Sequence, residues 1–248
     1  MTPTVSLVGA GPGDPELLTR RAWFRLRSAE VVFYDGLVPA PILRIAQSAQ
    51  LTSVARRAGP KSISEADIIE ALATSARAGR RTVRLKAGDP FVLGRGYDEV
   101  TALALAGIAS EVVPGLTSAT AAPSLAGIPL TVRGVTAGFV VVSGHADSSF
   151  APILSSLPPG SVTVVVLMGM GRCEAIRNTL IAAGWDTNTP AAVITDASRP
   201  SQGEWIGQLK DIVQCNEPGP LRPGVIVIGQ TVGCSVAVTH FPIESRTA

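Results

Sequence analysis

The chain has 248 residues, of which 46% are hydrophobic and only 16% charged, with a formal net charge of +2. This length and composition suit an ordered α/β protein with a full core and argue against a disordered chain. So slight a positive charge, with no dense block of Lys and Arg, argues against nucleic acid as a partner.

The first element is a short apolar run, Val5 to Val8, which reads as a buried strand. It breaks into Gly9, Gly11 and Gly13, whose backbones can take positive φ and admit a ligand closely. Asp14 and Pro15 then suit the N-cap and first position of a helix. A glycine loop at a strand's carboxyl end is where open α/β sheets bind ligands, although the same pattern also makes an ordinary strand-to-helix turn. Pro12 has no N–H to aim at an anion, so the loop suits a nucleoside without a diphosphate better than a dinucleotide.

Leu18, Ala22, Leu26 and Ala29 recur at helical spacing. Val31–Tyr34 reads as the second buried strand and ends on Asp35-Gly36, an acidic residue at a strand tip that is either a site group or a turn former. Leu51–Val54 reads as a short strand running into Arg56-Arg57-Ala58-Gly59. Ser64 and Asp67 resemble a capping box opening a helix with Ile69, Leu72, Ala73 and Ala76 on one face, ending at Gly79. Thr82–Lys86 alternates and reads as a strand, followed by a second glycine loop, Ala87 to Gly96. The local basic groups Arg56, Arg57 and Lys61, then Arg80, Arg81, Arg84 and Lys86, are expected on a solvated face.

A helix over 98–106 and a strand near 111–113 lead to Pro114-Gly115, the expected hinge between domains at 1–114 and 115–248. Thr117-Ser118 caps a small-residue helix over 119–126. In the second half, strands are expected at 139–143, 162–167, 191–195 and 225–228, with 204–207 as an edge strand. Cys173, Ile176, Leu180 and Ala183 mark a helix face. Three widely spaced cysteines and two histidines, His145 and His240, fit neither a disulfide framework nor a zinc site, so no metal is expected. The first residues lack the charge-then-apolar pattern of a secretion signal, and no apolar run reaches the ~18 residues of a membrane helix, so a cytoplasmic protein without membrane contact is expected.

Taken together, these segments resemble the tetrapyrrole methylase family. The residues that carry the likeness are Val8-Gly-Ala-Gly-Pro-Gly-Asp-Pro-Glu-Leu-Leu-Thr19, Tyr34-Asp-Gly-Leu-Val38, Arg57-Ala-Gly59 and Arg84-Leu-Lys-Ala-Gly-Asp-Pro-Phe-Val-Leu-Gly-Arg-Gly96. Val112-Val-Pro-Gly-Leu-Thr-Ser-Ala119, Ala126-Gly-Ile-Pro-Leu-Thr131, Ser143-Gly-His145 and Leu167-Met-Gly169 continue it, so it spans about Val5 to Gly229. The resemblance implies two α/β domains with a cofactor cleft between them, a homodimer, and S-adenosylmethionine as cofactor, leaving as S-adenosylhomocysteine. It implies C-methylation of uroporphyrinogen III to precorrin-2, on the way to sirohaem and cobalamin. Carried over position by position, it places Pro12, Gly88, Asp89, Val92, Thr117, Ser118, Met168 and Ala197 against the cofactor. Asp35 takes the place of a proton acceptor, while Arg95, Asp98 and Arg133 fall at substrate-handling positions; a guanidinium fork suits the carboxylates of such a substrate.

The chain departs from the family pattern in several places. Arg56 stands where a Lys is common, Gly36 where an Arg is frequent, and Ala87 at the first Gly of Gly-Gly-Asp-Pro. Tyr97-Asp98 replaces Gly-Glu, and Val132 replaces a His. These changes keep two alternatives open: methylation of a later corrinoid intermediate or other substrate, and cofactor binding without catalysis. A nicotinamide oxidoreductase is a third, against which Pro12 argues.

Overall fold

A computed structural model describes residues 5–55, 63–215 and 222–238. Arg56, Arg57, Lys61, the Arg57-Ala-Gly59 motif and His240 lie outside the described residues. The chain divides into two compact units, Met1–Thr117 and Ser118–Ala248.

In the first unit the elements run β1 (Val5–Gly9), α1 (Arg20–Ser28), β2 (Val31–Tyr34), α2 (Ala40–Leu43), β3 (Gln50–Ser53), α3 (Glu65–Arg77), β4 (Thr82–Lys86), α4 (Gly96–Leu105) and β5 (Ser110–Val113). All five strands are parallel, in the order β3-β2-β4-β1-β5. A parallel sheet needs cover on both faces, and this one has it. Val8, Leu26, Val32, Ile42 and Leu85 form one apolar cluster, while Leu7, Phe33, Ile68, Leu72 and Leu103 form the other. Because every strand runs the same way, the loops after β1, β2, β4 and β5 emerge along one edge of the sheet.

Local detail differs from the sequence reading in four respects. A turn of 3-10 helix, Pro15–Leu17, capped by Asp14, precedes α1, whose own N-cap is Thr19. On α3, Ile68 rather than Ile69 faces inward fully, because the capping box formed by Ser64 and Asp67 sets the helix phase. β4 does not alternate between core and solvent: all five residues are buried, since the strand is central and covered on both faces. Arg84 and Lys86, expected on a solvated face, are therefore each only 3% exposed.

The second unit contains α5 (Ser118–Leu125), β6 (Phe139–Ser143), α6 (Asp147–Leu154), β7 (Thr163–Leu167), α7 (Cys173–Ala182), β8 (Pro190–Thr195), β9 (Gly203–Gln208) and β10 (Gly224–Ile228). Its sheet is mixed, in the order β6-β7-β10-β8-β9, with β9 at an edge. β6 and β7 are parallel, and β10 is antiparallel to both β7 and β8. β6, β7 and β8 therefore point the same way, and the segments after them share one end of the sheet. Phe150, Val164, Val166, Ile176, Leu180 and Trp185 fill one face; Ala119, Ala122, Ile128, Val165 and Val227 fill the other. Among the described residues, no helix is long and apolar enough to cross a membrane.

Candidate active site

In the first unit the two glycine loops meet. Gly11 N–H donates to Gly88 O at 3.1 Å, and Gly88 N–H donates back to Gly11 O at 2.9 Å. Both glycines have positive φ, +67° and +66°, which a side chain would resist. Ala87, which stands at the first Gly of Gly-Gly-Asp-Pro, does not have positive φ, so its backbone conformation does not call for glycine. Asp89 ties in the turn after β5: its Oδ2 accepts from Gly115 N–H at 3.0 Å and its Oδ1 from Phe91 N–H at 2.8 Å. The three turns are packed at van der Waals contact. A Cβ on Gly9 would fall 2.6 Å from Gly115 Cα and from Gly88 O. Pro12, Gly88, Asp89 and Val92 thus belong to one knot of chain at the strand tips, half-buried, with Thr117 two residues beyond Gly115.

Asp35 sits at the end of β2, with its side chain about one-third exposed. Its backbone N–H donates to Leu85 O at 3.1 Å, which ties it to the neighbouring strand. Its carboxylate takes a charge-assisted hydrogen bond from Arg84 Nη2 at 2.5 Å. Arg84 is bound from the other side by Glu99: Nε and Nη2 donate to Oε1 at 3.1 and 3.0 Å. Lys86 Nζ donates to the same oxygen at 3.0 Å. Burial, reinforced by the Arg84 charge, pushes the Lys86 ammonium below its ordinary pKa of 10.5. Two cations and two anions thus neutralise one another inside the unit. Sequence reasoning missed Arg84, Lys86 and Glu99, naming the adjacent Asp98 instead. The signal was Arg84-x-Lys86 between apolar neighbours, legible only once β4 is known to be central.

Arg95 and Asp98 are exposed at the start of α4. The Arg95 guanidinium lies 2.5 Å from Glu65 and 3.6 Å from Asp98. It is therefore not a free cation, and a substrate carboxylate would share or displace these partners. Gly36 is tightly placed, for a Cβ there would fall 2.9 Å from the Ala55 methyl. Phe91 and Tyr97 are exposed and meet edge to face, ring centroids 6.5 Å apart.

The second unit places Met168 at the end of β7 and Ala197 after β8, both at the same end of its sheet. Met168 is half exposed, whereas Ala197 is 9% exposed between Asp196 and Ser198. His145 follows β6 at that end, with an exposed side chain. Ser118 opens α5, and Arg133 is exposed within a turn closed by Val132 and Thr136. Among the described residues, the five non-glycine residues with positive φ are Leu93, Arg95, Met168, Asp196 and Ser198. All fall in the segments after β4, β7 and β8. Left-handed backbone costs such residues of order 1–3 kcal/mol each and clusters where a site demands a shape.

A family model described as Tetrapyrrole (Corrin/Porphyrin) Methylases matches residues 4–213. A uroporphyrinogen-III C-methyltransferase from Methanocaldococcus jannaschii is 40% identical over 236 residues, covering 94% of this chain and 98% of that one. Siroheme synthase 1 from Klebsiella pneumoniae is 41% identical over 93% of this chain but only 49% of its own length. The chain thus spans about half the length of the siroheme synthases it matches. A solved uroporphyrin-III C-methyl transferase from Thermus thermophilus, complexed with S-adenyl homocysteine, superposes with a TM-score of 0.78 at 37% identity. It covers 93% of this chain and 99% of that one.

Proposed function

The chain belongs to the tetrapyrrole methylase family, and from that premise we propose that it methylates two ring carbons of uroporphyrinogen III with S-adenosylmethionine, giving precorrin-2 for sirohaem or cobalamin. The observation that carries the reading is the pairing of Gly11 with Gly88. It consumes the Gly11 N–H, and Pro12 has none, so the first loop is poorly equipped to cradle a diphosphate and suits an uncharged nucleoside edge. That loop fits S-adenosylmethionine, and Pro12, Gly88, Asp89, Val92 and Thr117 are assigned to hold it; the family resemblance gives Ser118, Met168 and Ala197 the same role.

When bound, the cofactor supplies a methyl group on a cationic sulfonium. The chain's own contribution is orientation, a factor able to supply several kcal/mol, together with handling of charge and protons. Asp35 is a carboxylate at a strand tip, partly open to solvent, and takes the proton that the methylated ring must lose. Arg133, exposed and unpaired among the described residues, and Arg95, once its bonds to Glu65 and Asp98 are exchanged, grip acetate or propionate groups. Asp98 sets the exchange by competing for Arg95. A homodimer belongs to the same reading and is checked by sedimentation; a cytoplasmic location is checked by cell fractionation.

Incubation of the chain with uroporphyrinogen III and methyl-labelled S-adenosylmethionine tests the proposal. Two labelled methyl groups per macrocycle are expected. No label in uroporphyrinogen III but label in a later corrinoid supplied in a parallel incubation selects the alternative substrate favoured by Gly36, exposed Tyr97 and Val132. S-adenosylhomocysteine binding with no label in any tetrapyrrole selects a binding protein.

A further inference from the structure

The geometry points to Arg84 as a positioning residue for this reaction: anchored from behind by Glu99, its guanidinium holds the Asp35 carboxylate in the orientation that receives the substrate's proton. The inference rests on the reading of Asp35 as proton acceptor. Arg84 spends its whole fork inside the unit. Nε and Nη2 go to Glu99 Oε1, Nη1 to Leu85 O at 3.1 Å, and the remaining Nη2 proton to Asp35. A planar group with all three of its nitrogens engaged is held in one orientation, and it fixes one oxygen of the carboxylate it grips.

Two comparisons argue against a merely structural role. The positions opposite Arg84 on the flanking strands are Leu7 and Phe33, and an apolar residue on β4 would pack with them. Buried ion pairs are a poor source of stability, and well-packed apolar replacements are often as good or better. The four-charge cluster also has a single outlet. Arg84, Lys86 and Glu99 are each under 7% exposed, whereas Asp35 is 32% exposed. Among the described residues, Glu99 Oε2 is buried without a partner while Oε1 accepts three donors. The cluster thus accepts one unsatisfied buried oxygen, a cost of ~1–3 kcal/mol, while aiming Arg84 at Asp35.

The test compares Asp35→Asn, Arg84→Lys, Glu99→Gln and the Asp35→Asn/Arg84→Lys double variant in single-turnover and steady-state assays with uroporphyrinogen III. Lysine keeps the charge but cannot span both carboxylates. Arg84→Lys is expected to lower kcat about 100-fold, the scale of a misplaced reacting group, with KM for S-adenosylmethionine held within about twofold. In the Asp35→Asn background the same change is expected to cost nothing further, because its effect passes through Asp35. Wild-type kcat in Arg84→Lys, or an equal loss in both backgrounds, overturns the inference while leaving Asp35 as acceptor. Wild-type kcat in Asp35→Asn overturns that reading and the inference together. Thermal unfolding and calorimetry with S-adenosylhomocysteine establish that each variant is folded. If Arg84→Lys is not, the nearly isosteric Glu99→Gln carries the comparison, with the same two outcomes.

Discussion

Gly115 has the least room of the glycines at the strand tips of the first unit. A Cβ there would overlap Gly88 O and lie 2.8 Å from Gly9 Cα. Gly115→Ala is expected to destabilise the chain by about 1–3 kcal/mol, read as a lower urea midpoint, and to weaken S-adenosylhomocysteine binding in calorimetry. An unchanged midpoint would show that the turns are not in contact. Glu111 offers a test of a different kind. Its carboxylate is held below the ordinary value of 4.5 chiefly by hydrogen bonds from Arg25, helped by one from Ser6 Oγ at 2.8 Å, against the opposing effect of burial. A depressed acid pKa gives stability that is complete above 4.5 and is lost as pH falls through the folded-state value. Glu111→Gln should therefore be less stable than the parent at neutral pH and lose less on acidification. Urea midpoints at neutral pH and below 4.5 will show whether the two curves converge.

Among the elements, those marked by capping chemistry or a strand-length apolar run were legible before any coordinates. Ser64 and Asp67 close the capping box that starts α3, through Asp67 N–H to Ser64 Oγ at 3.1 Å and Ser64 N–H to Asp67 Oδ2 at 3.0 Å. Ser64→Ala should cost about 1 kcal/mol, measured as a lower thermal midpoint with little change in turnover. α2 and α6 escaped the sequence reading because both are short with few apolar repeats, and Pro152 lies inside α6. β4 was found, but its role was not. Alternation of Thr82, Arg84 and Lys86 with Val83 and Leu85 has the look of an exposed edge strand, and only sheet order shows that it is central. The candidate site divides along the same line. Asp35 and the glycine loops announce themselves at strand ends, whereas the Arg84–Glu99 link needs β4 and α4 placed together in space.

At the scale of the whole molecule, the two units carry separate apolar cores and sheets of different kinds, one all parallel and one mixed. Phe150 is fully buried in the second unit among Leu154, Val166 and Ile176. Phe150→Ala should cost about 3–5 kcal/mol. Amide hydrogen exchange followed by mass spectrometry is expected to quicken in α6, α7 and β7 while β1, β2 and β4 keep their protection, since local opening follows cooperative units. Acceleration spread evenly over both sheets would instead mark a single cooperative body. The clasp between Gly11 and Gly88 adds one more consequence. Its two bonds are made by main-chain atoms, so no change of side-chain chemistry can remove them directly. Tolerance at these two positions is therefore governed by bulk and handedness rather than by polarity: D-alanine, introduced by semisynthesis, should be accepted where L-alanine is refused.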